Sequence, residues 1–262
     1  MTKKLQNIGN KLAPVIFIAA LVIAWQIASS TGLVPEFMLP SPVEVCMAFV
    51  NDFPVLMRNS ATTLTEAFAG LFIGLVLAFV FAVLMDRFRT MYKALYPIMV
   101  LTQTVPPVAI APLLVLWMGY DMAPKIALIV IVCFFPVAVG LLNGFQSADR
   151  ETIRLMRSMG AGRLQIFRYV KIPSAMNQFF AGLRIAVPYA MVGGVIAEWL
   201  GGFNGLGVYM TKVKQAYSFD KMFAVILLIS VISLILMKLV DLLQKKCMPW
   251  EKRGFHTGRG EE

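Results

Sequence analysis

Residues 64–85 read LTEAFAGLFIGLVLAFVFAVLM, an apolar run whose only ionisable residue is Glu66. A helix needs roughly 20 mostly apolar residues to cross the hydrocarbon core of a bilayer, so this run is predicted to be a transmembrane helix. The whole chain has the same character. Of its 262 residues 59% are hydrophobic and 15% are charged, whereas a soluble domain has about 25% charged residues. The composition therefore indicates an integral membrane protein.

Further apolar runs bring the number of predicted spans to about six. They lie near residues 13–28, 64–85, 94–118, 126–142, 179–200 and 222–243. No linker or repeat divides them, so we expect an all-α bundle forming a single domain over residues 1–262. The first run follows three lysines and precedes small residues, as in a signal peptide, but its length and the spans after it favour an uncleaved helix. A turn at residues 39–42 is expected to precede a short interfacial helix from Val43 to Phe53.

Lys and Arg residues are unevenly shared between the two sets of loops. Seventeen lie on the side that holds both termini and the segment 145–178, and five lie on the other side. Because basic residues favour the cytoplasmic side, we expect a multi-pass protein of the cell (inner) membrane with both termini in the cytoplasm. Membrane lipid is thus an expected partner. The same rule accounts for the net charge of +10, so nucleic acid is not an expected partner.

The ionisable residues do not suggest an enzyme. The three cysteines are far apart and the single histidine, His256, lies in a polar tail. Asp86, Asp149 and Glu151 form no catalytic cluster, so a membrane-embedded enzyme is a remote alternative. A lone secondary transporter would often show inverted repeats, and none is visible. We expect neither a metal nor another cofactor on this chain.

The third span contains helix-breaking residues at membrane depth. Pro106 and Pro107 follow Gln103 and Thr104, and prolines in mid-span leave carbonyl groups that need other partners. One interpretation is a tolerated kink packed against neighbouring helices. The other is that Gln103, Thr104 and Pro106 line a translocation path, because irregular backbone at depth is confined to places that are buried in protein or lined by water.

The fifth span carries an acid. Glu198 follows two glycines and precedes Trp199. A carboxylate within a membrane is costly and is often functional, so Glu198 and Trp199 are predicted to belong to the translocation path as a gate or substrate contact. The alternative is an interfacial carboxylate beside a tryptophan of the aromatic belt.

The long basic segment 145–178 is predicted to contain two short amphipathic helices. Asp149 is placed to cap a helix that begins near Arg150 and ends at Gly160, where a left-handed residue costs least. A second helix is expected from Arg163 to about Tyr169, with Pro173 stopping it. Such a hairpin either lies on anionic lipid or fits a cleft on a cytoplasmic partner.

This segment resembles the coupling loop of ATP-binding-cassette (ABC) importer permeases. That family has Glu-Ala-Ala, three residues, Gly, nine residues and Ile-x-Leu-Pro. Gly160 matches the glycine and residues 170–173, Val-Lys-Ile-Pro, match the end, whereas residues 154–156, Arg-Leu-Met, depart from Glu-Ala-Ala. The resemblance implies that a separate ATPase docks on this loop through the following residues: Arg154, Leu155, Met156, Ser158, Met159, Gly160, Ala161, Phe167 and Pro173.

The resemblance extends over nearly the whole chain, including residues 39–42, 103–107, 182–186 and 194–207. It is to permeases of the nitrate, sulfonate and taurine type. Glu198-Trp199-Leu200-Gly201 is similar to the branch that serves thiamin pyrimidine precursors and riboflavin-like compounds. This implies the type I importer fold, a second permease copy, an external substrate-binding protein and a vitamin-precursor-like substrate, with sulfonate, taurine or nitrate as the alternative. ATP and Mg²⁺ are expected on the partner ATPase, since this chain lacks a Gly-x4-Gly-Lys-[Ser/Thr] loop.

Overall fold

The computed structural model describes residues 2–31, 35 and 38–249, and of residues 2–12 and 14 it describes the backbone alone. The described residues form eleven helices, a π-helical turn and no strand. The helices are α1 Thr2–Ser30, α2 Pro42–Asn51, α3 Phe53–Arg87, α4 Arg89–Thr102, α5 Pro107–Met118, α6 Met122–Gln146, α7 Arg150–Ser158, α8 Arg163–Ile166, α9 Ile172–Leu200, α10 Leu206–Gln215 and α11 Phe219–Cys247. The predicted all-α class is confirmed. The polar tail with His256 lies outside the described residues.

The described helices account for most of the predicted spans. Four helical segments are long and apolar enough to cross a membrane: α3, α6, the continuous segment Arg163–Leu200, and α11. The predicted third span is the pair α4 and α5, which is bent by 100°. The first predicted span falls in α1, whose apolar part, Val15–Ser30, is shorter. The total of six spans and the single domain therefore stay predictions.

Among the described residues, the larger of two compact units comprises residues 60–208 and 229–249, and α6 packed on α9 forms its centre. Glycines bring the two backbones together: a Cβ on Gly144 would lie 2.5 Å from Ala175 Cα, and one on Gly182 would lie 2.5 Å from the Pro136 oxygen. On α3, a Cβ on Gly70 would lie 2.5 Å from the side-chain Cγ2 of Ile129 in α6. Small residues thus allow the close helix contact on which packing inside a membrane depends.

The smaller unit comprises the described residues up to 59 together with residues 209–228. Its α2 begins with a capping box, in which the Glu44 backbone N–H donates to Ser41 Oγ and the Ser41 N–H donates to Glu44 Oε2. This Ser-x-x-Glu spacing was readable in the sequence. The short helix predicted from Val43 to Phe53 is confirmed as α2, and its residues Val45 and Ala48 are buried against Ala224.

Asp52 ties three elements of this smaller unit together. It lies between α2 and α3, forms a 2.8 Å ion pair with Lys221 of α11, and accepts a hydrogen bond from the Tyr209 hydroxyl of α10. These two partners lower the pKa of Asp52, the Lys221 hydrogen bond being the larger cause. Burial, and then the neighbouring Asp52, raise the pKa of Tyr209.

The segment 145–178 is more helical than the sequence suggested. The prediction that Pro173 ends a short helix was wrong, because α8 continues through a π-helical turn, Phe167–Lys171, into α9. In the π-helical turn the Ile172 N–H donates to the Phe167 oxygen, one residue further back than in an α-helix. Pro173 falls in the first turn of α9, where a residue without an N–H is tolerated. Hydropathy marked only the apolar part of each helix, so α6 and α9 both run beyond their predicted spans.

Candidate functional site

The helix α7 is capped at both ends as predicted. At its start the backbone N–H groups of Glu151 and Thr152 donate to the Asp149 carboxylate, at 3.2 and 2.8 Å. The Thr152 hydroxyl also donates to it, and these hydrogen bonds, the hydroxyl's first, lower the pKa of Asp149. The N-cap therefore depends on an ionised Asp149.

A Schellman turn ends α7. The Ala161 N–H donates to the Met156 oxygen and the Gly160 N–H donates to the Arg157 oxygen. Gly160 has φ +82°, and nothing lies within 4 Å of where its Cβ would be. The glycine is required here by backbone conformation, as predicted, and not by crowding.

The turn between α7 and α8 presents apolar side chains on its outer surface. Leu155, Met159 and Leu164 are 62%, 78% and 78% exposed. Arg154, Ser158 and Pro173 are also exposed, and Met156 and Ala161 are half-buried. Phe167 differs from the other predicted docking residues, because its ring packs 5.2 Å from that of Phe145 in the helix bundle. Phe167 therefore packs against the helix bundle and stabilises the position of the turn.

The break in the third span lies between Thr102 and Pro107. The Thr102 hydroxyl donates to the Met99 oxygen and the Thr104 hydroxyl donates to the Leu101 oxygen, at 2.7 and 2.8 Å. Threonine hydroxyls thus bind carbonyl groups of the last turn of α4 and help to stabilise the bend that Pro106 and Pro107 impose. The predicted helix break is confirmed.

Beside this break lies a cavity of about 320 Å³ between α4, α5, α6 and α9. Gln103 and Thr102 line it on one side, and Tyr189, Gly193 and Ile196 of α9 line it on the other. The structure therefore places Gln103 and residues of α9 in the wall of one cavity. Thr104 and Pro106 are exposed and Trp199 is 45% exposed, and none of them is in the cavity wall.

Glu198 lies apart from this cavity, in a buried polar cluster. It is 2% exposed. Its Oε1 accepts from the Thr63 hydroxyl at 2.7 Å and its Oε2 accepts from the Gly207 N–H at 2.6 Å, while the Leu206 N–H donates to Thr63 Oγ1 at 2.9 Å. Glu198 thus caps the N-terminus of α10, where backbone N–H groups favour a negative charge.

Two glycines make room for this carboxylate. Gly205 has φ +130°, and a Cβ on it would lie 2.3 Å from Glu198 Cδ. A Cβ on Gly207 would lie 2.5 Å from the Val195 oxygen. The sequence Gly205-Leu206-Gly207 is therefore the backbone cradle of Glu198, a contact that the sequence did not reveal.

A buried ion pair lies in the same part of the unit. Lys125 Nζ and Glu66 Oε1 are 2.7 Å apart, and the two side chains are 5% and 0% exposed. Within the described residues the second oxygen, Glu66 Oε2, has no hydrogen-bond partner. Lys125 is one of the five basic residues expected in loops on the side opposite the termini, and that was wrong, because it lies in α6 with its side chain buried. The sequence feature that could have indicated this burial is an ionisable residue directly before an apolar run.

The chain matches a known protein family and several named relatives. Residues 53–248 match the family described as binding-protein-dependent transport system inner membrane component. The chain is 32% identical over 243 residues to the formylaminopyrimidine transport permease protein ThiX of Halalkalibacterium halodurans, an alignment that covers 92% of this chain and 97% of that protein. It is 29% identical over 233 residues to the riboflavin transport system permease protein RibX of Chloroflexus aurantiacus, covering 88% of this chain and 87% of that protein. It is 30% identical over 240 residues to the taurine transport system permease protein TauC of Escherichia coli, covering 89% and 87%.

Solved structures share the fold. An inward-facing methionine ABC transporter chain has a TM-score of 0.66 at 19% identity, over 75% of this chain and 97% of that one. A chain of an amino acid ABC transporter has a TM-score of 0.64 at 18% identity, over 76% and 97%. The predicted type I importer permease fold is therefore confirmed.

Proposed function

The chain belongs to the family of binding-protein-dependent transport system inner membrane components, and from this premise we propose that it imports a small, neutral, vitamin-precursor-like heterocycle. As an ABC importer permease it is a multi-pass transport subunit and not an enzyme. Membership implies an ATPase and an extracytoplasmic binding protein as partners. The substrate, the docking residues, the orientation and a second permease copy belong to the proposal.

The proposed substrate class is inferred from the cavity beside Gln103. Its wall contains Gln103, Thr102 and Tyr189 and otherwise apolar residues, with no charged residue. A flat heterocycle can pack on the Tyr189 ring and exchange hydrogen bonds with an amide. A sulfonate or nitrate would lose much of its hydration there without gaining a cationic partner, which is costly.

The names of the relatives support both the proposed substrate and its alternative. The formylaminopyrimidine and riboflavin permeases carry names of heterocyclic substrates, whereas the taurine permease carries that of a sulfonate. Import of sulfonate, taurine or nitrate by the same machine is therefore the second candidate. The neutral cavity wall favours the heterocycle.

We assign energy coupling to the turn between α7 and α8. Leu155, Met159 and Leu164 expose apolar surface on a well-capped, short element, and burial of such surface in a groove stabilises a complex by about 25 cal/mol per Å². ATP and Mg²⁺ would be held by the ATPase. This end of the permease then faces the cytoplasm, together with both termini, and a second copy of the chain completes the transporter.

Closure of the ATPases would move the turn, and α9 would transmit the movement, because α8, the π-helical turn and α9 form one continuous helix. The cavity is lined by residues of that same helix. ATP must favour one of two states strongly for the path to alternate between the two sides.

Ligand screening of the cognate binding protein tests the substrate. We expect a thermal shift with a formylaminopyrimidine or a flavin and none with taurine or nitrate. Uptake of the responding compound into proteoliposomes with the full transporter should then fall when Gln103 is replaced by alanine. A binding protein that responds to taurine alone would contradict the heterocycle and leave the permease assignment standing.

A further inference from the structure

We propose that a cavity at the end of α3 binds the phosphate group of an anionic phospholipid. The cavity has a volume of about 550 Å³ and lies between the last turns of α3, the end of α7, α8 and the π-helical turn. Arg87, Arg157 and Arg163 line it, and so does the ion pair of Lys171 with Asp86. It is separate from the cavity beside Gln103.

The charge of this cavity is unbalanced. Lys171 Nζ lies 2.7 Å from both oxygens of Asp86, so the one carboxylate in the wall is already engaged. Arg87, Arg157 and Arg163 have no ion-pair partner among residues 38–249. These three arginines line one cavity, and because like charges repel each other, an anion between them would lower this repulsion.

Phosphate suits these groups better than a carboxylate does. A guanidinium group presents its N–H donors in a planar fork that matches two phosphate oxygens, and three such groups exceed what one carboxylate can satisfy. The number of guanidinium groups therefore favours a phosphate, which offers several acceptor oxygens.

The apolar part of the wall points to a lipid as the source. Val83, Ile166 and Phe167 line the cavity beside the arginines. Arg87 is the last residue of α3, a helix long and apolar enough to span the bilayer, so the cavity lies where that span leaves the hydrocarbon and headgroups begin. Basic pockets at this level are typical sites of anionic lipid headgroups.

Such a lipid would connect α3 with the coupling turn. Arg87 belongs to α3, whereas Arg157 and Arg163 stand on either side of the turn that carries Gly160. A phosphate held by all three would restrain that turn, so the lipid composition would influence coupling. This consequence rests on the proposed function, whereas the binding of lipid does not.

Native mass spectrometry of the purified transporter tests the binding directly. The complex is equilibrated with phosphatidylcholine mixed with phosphatidylglycerol, and the phosphatidylglycerol retained is compared between variants. We expect selective retention by the wild type and a loss of roughly fivefold for each of Arg87→Gln and Arg163→Gln, since a basic group near a membrane contributes about 1 kcal/mol. Arg87→Lys, which keeps the charge but not the fork, should lose less than Arg87→Gln.

Arg150→Gln and Arg168→Gln are matched controls, because both arginines are exposed on the same segment and neither lines the cavity. An equal loss of retained phosphatidylglycerol in the controls would show that general surface charge causes the effect, and it would overturn the proposed site. Stabilisation of the transporter by inorganic phosphate, without selective lipid retention, would show that the cavity binds free phosphate and would overturn the proposal of a lipid. Unchanged retention in Arg87→Gln and Arg163→Gln, with weaker ATPase binding, would assign the cavity to an acidic protein surface instead.

Discussion

Lys125 of α6 and Glu66 of α3 form an ion pair of 2.7 Å that is almost completely removed from solvent. Such a pair contributes little when compared with apolar residues of the same volume, but breaking it leaves an unpaired buried charge. The pair therefore acts mainly as a constraint on how α3 and α6 fit together.

Lys125→Met should destabilise the protein by about 3–5 kcal/mol, because Glu66 is then buried without its cation. The double variant Glu66→Gln with Lys125→Met should recover most of the loss. Thermal unfolding in detergent, followed by size-exclusion chromatography, gives the order of stability. Equal stability of the single and double variants would show that the pair is not formed.

Gly205→Ala should destabilise the protein strongly, because the new Cβ would overlap Glu198 Cδ and also occupy a positive-φ position. Overpacking of this kind costs about 1–3 kcal/mol or more, in addition to the strain. Gly119→Ala is the matched control, since Gly119 has φ +84° with nothing within 4 Å of its Cβ. Expression and melting temperature are the measurements. If both variants lose the same stability, the Glu198 cradle does not matter.

Gly160→Val should weaken association with the ATPase. The left-handed backbone at φ +82° costs a non-glycine residue about 1–2 kcal/mol, so the Schellman turn is expected to deform while the bundle stays folded. The amount of ATPase that co-purifies with the permease measures this. Gly162→Val is the control, because Gly162 has φ −72°, which valine tolerates. Undiminished ATPase recovery with Gly160→Val would contradict the docking assignment.

Gln103 and Glu198, the amide and the carboxylate predicted to line the path, should respond differently to replacement by alanine. Gln103→Ala is expected to lower transport at unchanged melting temperature, since Gln103 lines the cavity. Glu198→Ala is expected to lower both, since it removes the cap of α10. Thr104→Ala should leave transport nearly unchanged, because Thr104 is outside the cavity wall. Normal transport by Gln103→Ala at normal expression would refute the site.

Acid should weaken the smaller unit through Asp52. Its pKa is lowered in the folded protein by Lys221 and Tyr209. This contribution to stability is complete above the unfolded pKa of about 3.9 and is lost as the pH falls through the lower folded value. Melting temperatures measured at pH values between neutral and acid should therefore drop less steeply for Asp52→Asn. If the melting temperatures of the wild type and Asp52→Asn fall in parallel with pH, the contacts of Asp52 with Lys221 and Tyr209 do not stabilise the smaller unit.

The sequence was sufficient for features that depend on local or additive properties. Apolar runs near residues 64–85 and 222–243 indicate spans because insertion into lipid depends on summed hydropathy. Asp149 and Gly160 mark the ends of α7 because caps are set by one residue's side chain or backbone freedom. Pro106 and Pro107 mark the break in the third span for the same reason.

Tertiary structure decided the features that depend on distant partners. Thr63 and Glu198, and likewise Glu66 and Lys125, are far apart in the chain, and only the packing of α3, α6 and α9 brings them into contact. Sequence alone could not show that Glu198 and Lys125 are buried, because a charge near a span end has the same pattern whether it is buried or exposed. Packing likewise separated Gln103, which lines a cavity, from Thr104, which does not. The sequence by itself determined which segments are helices in a membrane, and the contacts between those helices determined which polar groups are buried in hydrogen bonds and which line a cavity.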